Sequence, residues 1–155
     1  MWRLFDTMLN MQYLQYYLST YPFLIPIAVL LLSEIVKVIN RIREGSGERL
    51  LFRHGGMPSS HSAFVTSLLI VVGRESGLES VDFALAAVFS GIVWYDAIAV
   101  RGTVSKHAKA LNLVQQIHKF SEEVGHTLRE VVVGVAFGGT VTLVGIALSR
   151  EEIEV

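Results

Sequence analysis

The sequence predicts an all-α, polytopic helical membrane protein that forms a single membrane domain over residues 1–155. Apolar residues make up 52% of the chain and charged residues only 17%, whereas soluble domains usually carry about 25% charged residues. The apolar residues are concentrated in four blocks, and a segment with a helical aromatic face precedes them. The blocks predict about four transmembrane helices, at residues 22–40, 59–77, 83–100 and 131–148.

Residues 1–20 predict an N-terminal interfacial helix. Aromatic and apolar side chains recur there at steps of three and four residues, at Trp2, Phe5, Leu9, Tyr13 and Tyr16. This spacing places them on one helical face, and a face rich in Trp and Tyr is typical of a helix lying along lipid headgroups. A helix packed on its own bundle would show the same pattern, and both interpretations stay open.

The first span, residues 22–40, begins with two prolines and carries two charges. Pro22 and Pro26 fall in its first turns, where a missing backbone N–H is tolerated. Glu34 and Lys37 interrupt its C-terminal half. An ionisable group within a membrane span is a candidate functional residue, so Lys37 is a candidate for contact with an anion.

The second span is apolar only over residues 59–73. At about 1.5 Å per residue this stretch is shorter than the hydrocarbon core of about 30 Å. Either the helix continues to about Gly77, or the bilayer thins, or the first turn lies in a polar site below the headgroups.

The third and fourth spans differ in their polar content. Residues 83–100 contain one ionisable group, Asp96, whereas residues 131–148 contain none. Gly134 and Gly138 form a small-residue pair that allows close helix approach, and packing within the monomer is favoured over a homo-oligomer contact. The connector of residues 101–127 predicts a short surface helix with an apolar stripe at Val104, Ala108, Leu111, Val114 and Ile117.

Charged residues in the connectors predict the orientation of the chain. Residues 41–57 and 101–127 hold most of the arginines and lysines, and the basic-loop bias places such connectors in the cytoplasm. The protein is expected in a bacterial or organellar inner membrane or plasma membrane. Because two spans separate His61 from His126, the two histidines reach the same membrane face in either orientation.

The segment Pro58-Ser59-Ser60-His61-Ser62 predicts an anion site at a helix start. Proline favours the first helical turn, and Ser59 or Ser60 could cap it. The free N–H groups and the helix dipole then attract an anion, beside which His61 would lie. A merely well-capped helix start remains the alternative.

A second cluster holds His126 and Glu130, which are neighbours on one helix face. A carboxylate on one ring nitrogen raises the nucleophilicity of the other, although a surface ion pair has the same spacing. Arg101 could clamp phosphate oxygens, and Asp96 could orient Arg101 or a histidine. A metal held by His61, His126 and Glu130 is less favoured than a metal-free site.

Two classes of partner and chemistry are disfavoured by composition. The net charge is −1, so no global basic field attracts nucleic acid. The chain has no cysteine, which excludes disulfides, thiolate catalysis and cysteine-bound metals.

With these residues in place, the chain resembles the type 2 phosphatidic acid phosphatase superfamily. It is most similar to the divergent bacterial branch, which is related to acid phosphatases and vanadium-dependent haloperoxidases. The resemblance covers about residues 22–148. It rests on Gly55-Gly56-Met57-Pro58-Ser59-Ser60-His61-Ser62, on Tyr95-Asp96-Ala97 with Val100-Arg101, and on Gly125-His126-Thr127 with Glu130-Val131.

The resemblance implies hydrolysis of a lipid or polyprenyl phosphate without metal or other cofactor. It implies that His126 attacks phosphorus, that Glu130 orients His126, and that His61 protonates the leaving alcohol. Ser59, Ser60 and backbone N–H groups would bind phosphate oxygens, with Ser60 in the place of the glycine of the family's Pro-Ser-Gly-His motif.

Two of the family's motifs are altered in this chain. The first, a lysine followed after six residues by Arg-Pro, is matched only loosely by Lys37 and Arg53. The third usually has an arginine six residues before the nucleophile, where this chain has Phe120, and Arg101 could replace it. A non-catalytic membrane protein that binds or transports anionic phospholipids is therefore the alternative function.

Overall fold

The computed structural model describes residues 12–43, 56–115, 117–122 and 124–149. Within these residues every regular element is a helix and there is no strand, which confirms the predicted all-α class. The elements are α1 (Gln12–Thr20), α2 (Leu24–Arg43), α3 (Ser60–Ser76), α4 (Val81–Tyr95), a π-helical segment (Asp96–Val100), α5 (Arg101–Val114) and α6 (Leu128–Ser149).

Two of the described helices are long and apolar enough to cross a membrane. One is α6, and the other is the continuous helix Val81–Val114, which joins α4, the π-helical segment and α5. The pair α1 and α2 qualifies as a third span if the two helices, bent by 112°, are counted together. The protein is thus a helical membrane protein. By length and composition its described residues provide two or three spans, where about four were expected.

Helix α3, the predicted second span, is the central element of the bundle. It has 17 residues and ends at Ser76, with Gly77 as its C-cap, close to the predicted end at about Gly77. At about 26 Å it is somewhat shorter than a hydrocarbon core of about 30 Å. It packs against α2, α4 and α6, and its buried positions are mostly small residues: Ser60, Ser62, Ala63, Val65, Thr66, Ser67 and Val71.

The glycines of α6 allow this close packing. A Cβ at Gly134 would lie 2.5 Å from the Ser59 carbonyl oxygen, and one at Gly138 would clash with the backbone of Ala63. One turn further, the Thr142 hydroxyl donates to Ser67 Oγ at 2.6 Å. The small-residue pair therefore packs α6 against α3 within the monomer, which confirms the interpretation favoured from the sequence.

The predicted interfacial helix is described only in its second half. Residues 1–11, with Trp2, Phe5 and Leu9, lie outside the described residues. In α1, Tyr13 and Tyr16 are exposed, so these two aromatic side chains do not pack on the bundle.

The predicted helix of the 101–127 connector is present as α5, although it does not begin as a separate element. Helix α5 is a direct continuation of α4 through the π-helical segment, so no connector separates them. Only Ala108 of the expected apolar stripe is buried; the side chains at Val104, Leu111, Val114 and Ile117 are exposed. The helix continues because no proline interrupts residues 95–101, although the apolar pattern ends there.

Candidate functional site

The start of α3 is capped by Ser59. Its Oγ accepts a hydrogen bond from the Ser62 N–H at 3.4 Å, and the two hydroxyl oxygens lie 2.9 Å apart. Pro58 precedes the cap, outside the first helical turn where the sequence had placed it. Ser59 and Ser60 are buried, whereas His61 is exposed on the first turn of α3. The histidine is thus the accessible side chain at the positive end of this helix dipole.

Ser60 connects this turn to α2 through two charged side chains. Lys37 Nζ donates to Ser60 Oγ at 2.8 Å, and the same hydroxyl donates to Glu34 Oε1 at 2.5 Å. Lys37 and Glu34 also form an ion pair of 2.6 Å. The structure therefore brings Lys37 to the first cluster. Glu34 comes with it, signalled in the sequence only by its i,i+3 spacing from Lys37.

Glu130 closes a capping box at the start of α6. Its Oε2 accepts from the Thr127 N–H at 2.6 Å, and Thr127 Oγ1 accepts from the Glu130 N–H at 3.3 Å. This role was not predicted from the sequence, although a threonine followed three residues later by glutamate before an apolar run is its signature.

Glu130 also joins the two clusters that are far apart in the sequence. Its Oε1 accepts from the Gly56 N–H at 3.1 Å, and its backbone carbonyl accepts from the Ser59 N–H at 3.2 Å. The segment before α3 is thus bound to the first turn of α6. As a result, the two histidine clusters meet at one end of the bundle, as the count of spans predicted.

His126 is held just before α6 by its own backbone. Its N–H donates to the Ala97 carbonyl at 3.0 Å. A Cβ at the preceding residue, Gly125, would lie 2.7 Å from the Gly102 nitrogen and 2.8 Å from the Arg101 carbonyl carbon. Only glycine allows this approach without a shift of the backbone, so the loop that carries His126 packs directly on the turn that carries Arg101.

The imidazole of His126 is nearly buried. Its Nδ1 lies 3.5 Å from Glu130 Oε2, a contact longer than a hydrogen bond, and makes no other hydrogen bond among the described residues. Burial lowers the pKa of His126 below its ordinary value; the Glu130 carboxylate opposes this shift, whereas the charges of Lys37 and His61 add to it. The ring is therefore neutral at neutral pH.

Asp96 and Arg101 form a second ion pair at the site. Arg101 Nε donates to Asp96 Oδ2 at 2.7 Å across one turn of the π-helical segment. Both side chains are about two-fifths exposed. The sequence left Arg101 or a histidine as the partner of Asp96, and the structure pairs Asp96 with Arg101.

Four charged side chains surround His61 closely enough to affect it electrostatically: Arg101, Lys37, Glu34 and Asp96. His126 is affected likewise by Lys37 and His61. The described residues hold no group of three or more His, Asp and Glu side chains able to bind a metal ion. Arg53, the remaining predicted phosphate ligand, lies outside the described residues.

This arrangement can hold an anion. Two cations, the N-terminus of α3 and two imidazoles share one end of an apolar bundle, and cations at a helix N-terminus favour phosphate groups. The fold and the site together define a class: a helical membrane protein with a histidine-bearing polar site at one end of its spans.

The chain belongs to the Divergent PAP2 family, whose model matches residues 18–141. The match includes every site residue from Glu34 to Glu130. The chain is also similar to an uncharacterized membrane protein, YuiD, of Bacillus subtilis strain 168, with 37% identity over 112 residues, which cover 68% of this chain and 69% of YuiD. No solved structure matches the chain significantly.

Proposed function

We propose that the protein is an integral membrane phosphatase that hydrolyses a lipid or polyprenyl phosphate through a phosphohistidine at His126. The observation that carries the proposal is the meeting of His61 and His126 with Lys37 and Arg101 at one end of the bundle. The family membership supports it, because the matched segment, residues 18–141, contains these four residues.

In the first step His126 attacks phosphorus through Nε2, since Nδ1 is directed at Glu130. The new P–N bond forms as the P–O bond to the alcohol breaks, and protonated His61 gives its proton to the leaving oxygen. In the second step water attacks the phosphohistidine, and His61 takes a proton from that water. The P–N bond breaks, and inorganic phosphate and free His126 result.

The electrostatics of the site fit the role of His126 and the binding of the phosphoryl group. The lowered pKa of His126 keeps its ring neutral and thus nucleophilic at neutral pH. Arg101, Lys37 and the N-terminus of α3 would stabilise the charge on the phosphoryl oxygens. Asp96, bound to Arg101, would fix the direction of the guanidinium.

A membrane-embedded phosphatase also fits the surroundings of the site. The outer faces of α2, α4 and α6 expose large apolar side chains, so the tail of a lipid substrate could remain among membrane lipids. The basic connectors favour a cytoplasmic site in a bacterial or organellar inner membrane or plasma membrane.

The proposal is tested by phosphate release from a panel of lipid and polyprenyl phosphates, with purified protein in detergent and no added divalent metal. We expect release by the wild type, its loss in His126→Ala and a strong reduction in His61→Ala. His107→Ala is the matched control, because His107 is exposed on α5, and it should retain activity. Unchanged release in His126→Ala would refute the assigned nucleophile.

A second function is favoured by the ion pairs of the site. Both candidate phosphate ligands, Arg101 and Lys37, are already bound to carboxylates, and Phe120 occupies the position of the family's arginine. A non-catalytic protein that binds or transports anionic phospholipids needs only an anion site. Saturable binding of a lipid phosphate without turnover of any substrate would support this function against the phosphatase.

A further inference from the structure

We propose that Glu34 is an internal counter-ion of the phosphate site: it neutralises Lys37 while the site is empty, and an incoming phosphate displaces it. Glu34 would thus set the affinity of the site and its selectivity for the charge of the anion. This inference rests on the phosphate site of the proposed function and adds a specificity-determining residue to it.

The contacts of Glu34 are those that a phosphate oxygen would make. One carboxylate oxygen lies 2.6 Å from Lys37 Nζ and 2.5 Å from Ser60 Oγ. Ser60 is the first residue of α3, so the carboxylate reaches the positive end of that helix dipole, where an anion is favoured. His61, the accessible histidine, is the next residue and interacts electrostatically with both Glu34 and Lys37.

The two members of the ion pair differ in their freedom to move. The Lys37 side chain is 10% exposed, whereas that of Glu34 is 52% exposed. A buried ammonium without a counter-ion is costly, so Lys37 requires an anionic partner in the empty protein. Glu34 can instead turn into water at little cost. When a phosphate replaces Glu34 beside Lys37, Glu34 therefore moves and Lys37 stays in place.

The charge of Glu34 has a consequence for selectivity. A phosphate monoester carries a charge of about −1.5 to −2 at neutral pH, and a phosphodiester carries one negative charge. Repulsion by a nearby carboxylate grows with the charge of the ligand, and at short range near a protein surface it changes affinity by about tenfold or more. Removing the charge of Glu34 should therefore favour the dianion over the monoanion.

The experiment measures binding of inorganic phosphate and of dimethyl phosphate to the full chain in detergent. Glu34→Gln keeps the shape of the side chain and one accepting oxygen but removes its charge. We expect it to bind phosphate about tenfold more tightly than the wild type, with a smaller gain for dimethyl phosphate. The matched control is Glu75→Gln, which changes an exposed ion pair at the opposite end of α3 and should leave both affinities unchanged.

Unchanged or weaker phosphate binding by Glu34→Gln, or equal gains for both anions, would overturn the inference. If Glu34→Gln does not fold, Glu34→Asp withdraws the carboxylate from Lys37 while keeping its charge, and phosphate affinity should still rise by a smaller factor. An affinity for Glu34→Asp at or below that of the wild type would also contradict the inference.

The outcomes separate this inference from the phosphatase proposal. Tighter binding in Glu34→Gln with no turnover in any variant would support the counter-ion and refute the enzyme. Turnover by the wild type together with equal phosphate affinities of the wild type and Glu34→Gln would support the enzyme and refute the counter-ion. Absence of phosphate binding in every variant would refute the counter-ion, and absence of turnover as well would refute both proposals.

Discussion

Glu130 has two possible roles: its hydrogen bonds stabilise the fold, and its negative charge lies near His126. Replacement of Glu130 by alanine and by glutamine separates these roles. In Glu130→Ala the Thr127 N–H and the Gly56 N–H lose acceptors that lie 2.6 Å and 3.1 Å away. Loss of a helix cap costs about 1 kcal/mol, and loss of a hydrogen bond to a charged group costs about 1.5–3 kcal/mol. We therefore expect Glu130→Ala to lower the free energy of unfolding by about 3 kcal/mol.

Glu130→Gln provides the matched comparison. Glutamine also serves in a capping box, so this variant should lose less than about 1 kcal/mol while removing the negative charge near His126. Reversible unfolding in mixed detergent and denaturant measures both variants, with Glu75→Ala as a surface control. Equal stability of the Ala and Gln variants would show that the bonds between the two clusters do not stabilise the fold.

Two further predictions concern His126 and the α3–α6 contact. Burial lowers the folded-state pKa of His126 below the unfolded value of about 6.5. The contribution of His126 to stability is therefore complete above that pH and is lost as the pH falls through the folded-state pKa. NMR titration of labelled histidine should give a pKa of His126 below about 6.5, and a still lower pKa in Glu130→Gln, which removes the opposing carboxylate. A pKa at or above about 6.5 would contradict this account. Gly138→Ala should destabilise the protein by about 1–3 kcal/mol through overpacking against Ala63, whereas Gly91→Ala, which meets no atom within 4 Å, should be neutral or stabilising; equal effects in thermal unfolding would argue against the close helix contact.

Local signals made the helix ends near the site predictable. Ser59 caps α3 because its hydroxyl reaches the Ser62 N–H, a pattern fixed within four residues. The threonine–glutamate capping box at α6 was equally readable, but the interpretation of Glu130 as the partner of His126 obscured it. Both clusters were found because short polar motifs interrupt apolar blocks.

Contacts between distant segments could not be predicted in the same way. Nothing in the local sequence indicates that Ser60 lies between Lys37 and Glu34, because this depends on how α2 packs against α3. Gly125 gave no signal either, since its approach to Gly102 depends on the path of the return segment. The continuity of α4 with α5 was missed because the end of the apolar pattern was interpreted as the end of the helix.

The central claim is most directly tested by trapping the covalent intermediate. The protein is mixed with a lipid phosphate in detergent, quenched under alkaline conditions that preserve phosphohistidine, digested, and analysed by mass spectrometry. We predict a phosphoryl adduct on the peptide that contains His126, absent from His126→Ala. An adduct on any other residue, or turnover without an adduct, would contradict the mechanism.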